Sequence, residues 1–316
     1  MNKNKKSGLV VLILVIVLTL LCGAVNLLGL KDGHKGSNQK IKKNFGHNDY
    51  IAALHIEGTI QAENLTYNQE WLLDTIKSLK EDNNNKAIAL FINSPGGTVY
   101  EADEAYLALQ DYKTSGKPVY AYQGQLAASG GYYISCAADK IYANRNTLTG
   151  SIGVITGSSF DVTGLLNNLG IKSETIHTGA NKNMFNFNEP VTPEQRKIMQ
   201  SISDECYEQF VGIVSASRKL SLKETKSLAD GRIYTANQAL KNGLIDGIDT
   251  WEGMISNLTN DKLEGKKTKV VDYSYEKNKT FKDVLFGKTN QKSTIESFIS
   301  ELSAESKIQY PAYLYK

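Results

Sequence analysis

The run Ala87-Ile-Ala-Leu-Phe-Ile92 is apolar at every position and stops at Asn93-Ser94-Pro95-Gly96-Gly97. A half-exposed strand alternates polar with apolar residues, whereas one that is apolar throughout must be covered on both faces; the Pro-Gly-Gly after it forces a sharp turn. The segment therefore demands helices packed on a sheet, and the neighbouring sequence supplies them. Residues 50–56 read as a strand, and 68–79 place Trp71, Leu72, Ile76 and Leu79 at helical spacing. A helix is expected over 98–115, a strand over 118–122 and a helix of small residues over 128–138. Further strands are expected over 140–143, 152–156 and 172–177. A long amphipathic helix starts at Thr192-Pro193-Glu194-Gln195, where a Thr cap precedes Pro at the first helical position. Strands alternating with helices give an α/β chain with a mostly parallel, buried sheet.

The N-terminal region follows different rules. Gly8 to Leu30 carries no charge and follows Lys3, Lys5 and Lys6. As a helix it would reach roughly 34 Å at about 1.5 Å per residue, enough to cross a bilayer core. Gly23-Ala24 could offer a signal-peptide exit, but the apolar run continues through Leu27, Leu28 and Leu30, and Leu21 is too large to precede a lipid-modified Cys22. The expectation is an uncleaved anchor over 8–30 after a basic cytoplasmic end over 1–7. A flexible linker rich in Gly, Lys, Asn and Ser follows over 31–48, then the main domain over 49–259 and an extension over 260–316. Lysines flank both ends of the anchor, so flanking charge does not decide the orientation. The extension turns polar and Lys-rich, with one amphipathic helix expected near 293–302. It ends in Tyr310-Pro-Ala-Tyr-Leu-Tyr-Lys316, an apolar segment that could enter a cleft as an internal inhibitor.

Charge narrows the partners. The net charge is +3, but residues 1–48 carry +7, which leaves the body at −4. A mildly acidic body argues against nucleic acid, because phosphate neutralisation needs clustered cations. Cys22, Cys136 and Cys206 form no C-x-x-C pair and read as buried or lipid-facing thiols. His34, His47, His55 and His177 lack metal-ligand spacing. No metal and no cofactor is expected.

Two glycine pairs follow strand-like segments: Gly96-Gly97, and Gly130-Gly131 after Ser129. A serine at a helix head has unpaired N–H groups and a partial positive charge beside it. The Gly130 N–H, with that of Gly97 from the neighbouring turn, could face an oxyanion; glycine pairs also serve plain helix–strand packing. A nucleophilic serine needs a base. The body offers His55 and His177, or a lysine kept uncharged in a dry pocket away from carboxylates. Lys182, in Gly179-Ala-Asn-Lys182-Asn-Met-Phe-Asn-Phe-Asn188, has six uncharged residues on its C-terminal side.

Five blocks occur in one order: Ser94-Pro-Gly-Gly97, Ala127-Ala-Ser129-Gly-Gly-Tyr-Tyr-Ile134, Thr149-Gly-Ser151-Ile-Gly-Val154, Gly179-x-x-Lys182, and Ala229-Asp-Gly-Arg232 running on to Asp246. Together they resemble the signal peptide peptidase A (SppA, protease IV) family in its short single-repeat form, from about residue 49 to 248. Ala236 stands where the last block often has Gly. The resemblance implies a ClpP/crotonase-like fold of repeated ββα units and a membrane-anchored serine endopeptidase. It makes Ser129 the nucleophile, Lys182 the general base, Ser151 the partner that orients the Lys182 amine, and the N–H groups of Gly97 and Gly130 the oxyanion hole. It further implies a homo-oligomeric ring whose Ser–Lys pairs are completed between neighbouring subunits. The catalytic domain would lie on the extracytoplasmic side of the cell membrane, and the substrates would be remnant signal peptides and other apolar peptides. Three other readings compete: a Ser-His hydrolase using His177, a crotonase-like enzyme acting on acyl-thioesters, and a non-catalytic ring-forming membrane scaffold. Asp230 reads as a turn-forming residue, not a triad acid.

Overall fold

The computed structural model describes residues 48–158, 160–276 and the backbone of 312–314. β1 (Tyr50–Glu57) leads to α1 (Gln69–Glu81), whose start is fixed by Asn68 accepting the Trp71 N–H. β2 (Asn85–Ser94) turns into β3 (Gly96–Thr98) and then α2 (Val99–Lys113). β4 (Val119–Ala128) runs into the short α3 (Gly130–Ser135), followed by β5 (Lys140–Ala143) and β6 (Leu148–Gly150). After α4 (Thr163–Asn168) comes α5 (Pro193–Arg218), opened by the expected Thr192 cap in a reciprocal capping box with Gln195. The remaining elements are α6 (Leu222–Leu228), β7 (Ile233–Thr235), α7 (Ala236–Lys241), β8 (Gly247–Ile248), α8 (Trp251–Lys262), β9 (Lys269–Tyr273) and β10 (Ala312–Leu314).

The main sheet runs β7-β6-β4-β2-β1-β9, with β5 on β4 and β8 on β5. Every pairing in it is parallel except β6 with β7. The apolar strand anticipated at 87–92 is the middle of β2, flanked by β1 and β4, which accounts for its lack of alternation. On one face Ile51, Ala87, Ala89, Tyr120 and Tyr122 pack with Met254 and Leu258 of α8. By strand alternation Ala52, Leu54, Ile88 and Leu90 point to the opposite face, and all four are fully buried. Helices α1 and α2 pack on each other and bury Leu72, Ile76 and Leu79 from one, Ala102, Ala105 and Leu109 from the other. Each of the larger aliphatic side chains contributes about 1.5–3 kcal/mol by leaving water.

Two expected strands do not form. At 152–156 the chain has just turned through Ser151 (φ 51°); only Ile155 makes a bridge, and the backbone pairs briefly with the 231–232 turn (Ser151 N–H to Arg232 O, 2.8 Å; Gly231 N–H to Ile152 O, 3.1 Å). Residues 172–177 are exposed throughout and pair with no strand among the described residues, so their β-like pattern finds no ladder there. β9 is an addition that the polar composition after residue 260 concealed. The small-residue helix covers Gly130–Ser135, shorter than the expected 128–138: β4 takes Ala128, Ser129 forms the turn before the helix, and Cys136 caps its end. Among the described residues no helix is long and apolar enough to cross a membrane. The anchor expected over 8–30, its basic flank, residues 31–47 of the linker and the helix near 293–302 lie outside the described residues.

Candidate active site

The β4–α3 junction carries the sharpest local feature. Ser129 has φ 56° and ψ −117°, a conformation that a residue with a Cβ adopts at a cost of about 1–3 kcal/mol. Its surroundings hold it there. The Ser129 N–H donates to Gly150 O (2.8 Å), the Tyr133 N–H donates to Ser129 O (2.9 Å), and Thr149 Oγ1 donates to Ala127 O (2.8 Å). Beyond the turn, Tyr132 Oη donates to Leu244 O (2.7 Å) and Tyr133 Oη to an Asp103 carboxylate oxygen (2.6 Å), which clamps α3 from both sides. Ser129 is 1% exposed, and its Oγ has no hydrogen-bond partner among the described residues. Buried hydroxyls are nearly always satisfied. A strained strand-to-helix turn is the backbone setting of a nucleophile elbow; here the Ser129 hydroxyl at that turn is covered within the single chain.

The glycine-rich corner lies beside it. α3 packs on β3, and a Cβ at Gly131 would sit 3.0 Å from Ser94 O, so this face of the helix meets the end of β2 backbone to backbone. Ser94 Oγ in turn accepts the Gly96 N–H (3.0 Å) and fixes the turn. A Cβ at Gly97 would lie 1.7 Å from Ile60 O, so only glycine fits that position. The N–H of Gly130 belongs to the first turn of α3 and has no partner within the helix. Gly97 and Gly130 thus come to one end of the sheet with Ser129. Ser151, 7% exposed and with φ 51°, follows β6 directly; β6 pairs with the last residues of β4, which brings Ser151 to the same region. A cleft of about 620 Å³ opens beside it, bordered by Ser151, Ile155, Asp204, Tyr207 and Asp230.

Lys182 does not complete this arrangement within one chain. It is exposed, on a turn-rich loop where its N–H donates to Gly179 O (3.1 Å). The unpartnered Ser129 Oγ means that the amine is not within hydrogen-bond reach. The asparagines that give the Lys182 segment its uncharged character serve the loop: Asn186 bonds Asn183 (2.8 Å), and Asn183 bonds a Glu189 carboxylate oxygen (2.7 Å). Neither histidine among the described residues, His55 nor His177, replaces the lysine. His177 is exposed, with Nδ1 3.1 Å from Gly179 O, and His55 lies between Glu57 (3.5 Å) and Asp272 (3.3 Å) against Phe91. Asp230 forms the expected turn, accepting the Arg232 N–H (3.2 Å) and pairing with the Arg232 guanidinium. Among the described residues no group of His, Cys, Asp and Glu could hold a metal. The sequence reading left open whether the C-terminal segment enters the cleft: β10 pairs with β3, along the Gly97 edge of the site.

A profile of Peptidase family S49 matches residues 111–264. A protein of Enterococcus faecium named as a signal peptide peptidase SppA is 36% identical over 257 residues, 78% of this chain and 74% of that protein. Protease 4 of Haemophilus influenzae is 31% identical over 230 residues, covering 72% of this chain but 37% of its own length. Among solved structures, the 1510-N membrane-bound stomatin-specific protease is similar with a TM-score of 0.49 at 16% identity, over 72% of this chain and 99% of its own. The chain belongs to Peptidase family S49. It is a peptidase.

Proposed function

We infer that the chain is a membrane-anchored serine endopeptidase working through a Ser129–Lys182 dyad, and that it degrades signal-peptide remnants and similar apolar peptides on the extracytoplasmic side. One observation carries the reading: a buried, unpartnered serine hydroxyl held at positive φ at the head of α3, in a chain of a peptidase family. Ser129 Oγ attacks the scissile carbonyl while the Lys182 amine takes its proton. The N–H groups of Gly97 and Gly130 receive the developing oxyanion, and the resulting ammonium protonates the leaving amine. Water then attacks the acyl-enzyme, with Lys182 again as base. Ser151 orients the amine.

The lysine comes from a second copy of the chain. Two features support this. Lys182 is exposed in its own chain while Ser129 is buried, and the segment bearing Lys182 presents Leu165, Leu169, Ile176 and Phe187 to the outside. Ile176 is 94% exposed. Several exposed apolar side chains on one segment suit a contact surface. Burial between copies would also dry the amine, as a lysine base requires.

The uncharged apolar run over 8–30 supports the membrane-anchored part of the reading, since cleaved signal sequences remain in the membrane. The test is turnover of a synthetic signal peptide in detergent by the whole chain beside Ser129→Ala. A loss of at least about 1000-fold in kcat is expected. Equal turnover by the two proteins would remove Ser129 from the mechanism.

A further inference from the structure

α5 is anchored to the body of the fold by its second half. Its first half is exposed or half-exposed apart from Gln195, whereas Phe210, Val211 and Val214 are buried. The segment that bears Lys182 leads into the exposed start of the helix. Where α5 reaches the body it meets Tyr133 of α3: Gln209 Nε2 donates to Tyr133 Oη (2.7 Å), and the Phe210 ring lies 5.0 Å from that of Tyr133, centroid to centroid. Tyr133 is fully buried. Its hydroxyl passes the contact on, donating to an Asp103 carboxylate oxygen of α2 (2.6 Å), while Tyr106 of the same helix packs edge-on against the ring at 5.6 Å. One turn back, the Tyr133 N–H donates to Ser129 O (2.9 Å). A chain of hydrogen bonds therefore runs from Gln209 through Tyr133 to Asp103, by way of the residue that closes the Ser129 turn.

A buried hydroxyl calls for a partner, and the Asp103 carboxylate already supplies a charge-assisted one. The Gln209 amide adds a second, from a residue that is itself exposed. Burial of Gln209 is therefore not what the contact provides; it provides a connection between α5 and α3. Members of such a chain polarise one another, so the loss of one bond weakens the next. Ser129 in turn keeps its φ of 56° only while its surroundings over-determine it. We propose that Tyr133 is a positioning residue: its hydroxyl ties the Ser129 turn to α5, so that the seating of α5 sets the alignment of the Ser129 hydroxyl and the Gly130 amide for attack. This rests on the reading of Ser129 as the nucleophile. Contact of the Lys182 segment with a second copy would load the exposed half of α5 and reach the nucleophile of the same chain through Gln209 and Tyr133. A small displacement there matters, since a shift of about 1 Å at a reacting group can cost about 100-fold in rate.

The test uses the full chain with Gln209→Met, which keeps the length of the side chain and loses the donor, and with Tyr133→Phe, which keeps the ring and loses the hydroxyl. For a synthetic signal peptide in detergent, kcat per folded enzyme should fall at least about tenfold in each while KM changes less than about twofold, because alignment is lost and binding is not. The double variant should be no slower than the slower single one, since both changes cut the same connection. Gln209→Lys restores a donor and should recover at least about half of the unsubstituted kcat. Deuterium exchange of the Tyr133 amide should be faster in Gln209→Met than in the unsubstituted chain. A lowered urea midpoint with unchanged kcat per folded enzyme would make the contact merely structural and overturn the proposal. Losses that multiply in the double variant, or a Gln209→Lys chain as slow as Gln209→Met, overturn it too. Turnover that survives Ser129→Ala removes the nucleophile reading and the proposal with it. Turnover abolished by Ser129→Ala but unchanged in Gln209→Met and Tyr133→Phe removes the proposal alone.

Discussion

Ser129 and Gly97 depend on backbone that only part of the sequence advertises. The Gly-Gly pairs, the serine between β4 and α3 and the turn at 93–97 are legible because each is a local signal: a breaker, a cap position or a small residue next to a strand. The contact that makes Gly97 obligatory is not local, since the carbonyl in its way belongs to Ile60 on the far side of α1. Gly97→Ala should force Ile60 and β3 apart, lower the unfolding midpoint and reduce kcat/KM by at least about 100-fold, the loss typical of a missing oxyanion donor; equal kcat/KM in an assay of matched folded protein would contradict its role. The cysteines give a second prediction at this scale. Burial pushes the Cys136 thiol up to about 12, so it stays protonated at pH 8 and has no thiolate to offer. Iodoacetamide at pH 8 should leave Cys136 unmodified in the folded protein and modify it after denaturation, as peptide mass spectrometry would show. Labelling of the folded protein at Cys136 would mean that this part of the core opens.

Among elements, α5 and β8 are joined by a pair whose importance the sequence hides. Arg218, 7% exposed in its side chain, makes two hydrogen bonds of 2.8 Å to Asp246 and donates Nε to Gly243 O (2.8 Å); Asp246 also accepts the Ile141 N–H (2.7 Å). Removing one partner leaves the other uncompensated. Arg218→Met should cost about 2–3 kcal/mol, less than a fully buried pair because Asp246 keeps one third of its side-chain surface. Urea unfolding checks this: the midpoint should fall with little change in slope, and an unchanged midpoint would contradict it. Elements were legible where a local signal is clear, as in the apolar run of β2, the helical spacing of α1 and the Thr192-Pro193 start of α5. They were not legible where a strand needs a partner from elsewhere. The apolar residues of 152–156 and 172–177 look like strands in sequence, but Ser151 turns the first away and the second meets no edge. β9 and β10 went unseen for the opposite reason, being short segments in polar or Pro-containing sequence that depend on edges already built.

At the scale of the whole molecule, one chain holds a buried serine hydroxyl with no partner among the described residues, and a lysine exposed on a separate segment. The five ordered blocks single out both residues in the sequence, but spacing says nothing of whether a shared site would form within one chain or between two. A head-to-tail arrangement in which each Ser129 meets the Lys182 of the next copy closes into a ring when the rotation between copies is regular. The most direct test of that arrangement is subunit complementation. Chains carrying Ser129→Ala and chains carrying Lys182→Ala, each inactive alone, are mixed under conditions that allow exchange, or produced together. Where a Lys182→Ala copy, with its serine intact, stands before a Ser129→Ala copy, with its lysine intact, one complete site results. Signal-peptide cleavage should therefore return to about one quarter of the unsubstituted level at equal mixing. No activity at any mixing ratio, in assemblies shown to contain both chains, would contradict a dyad shared between copies.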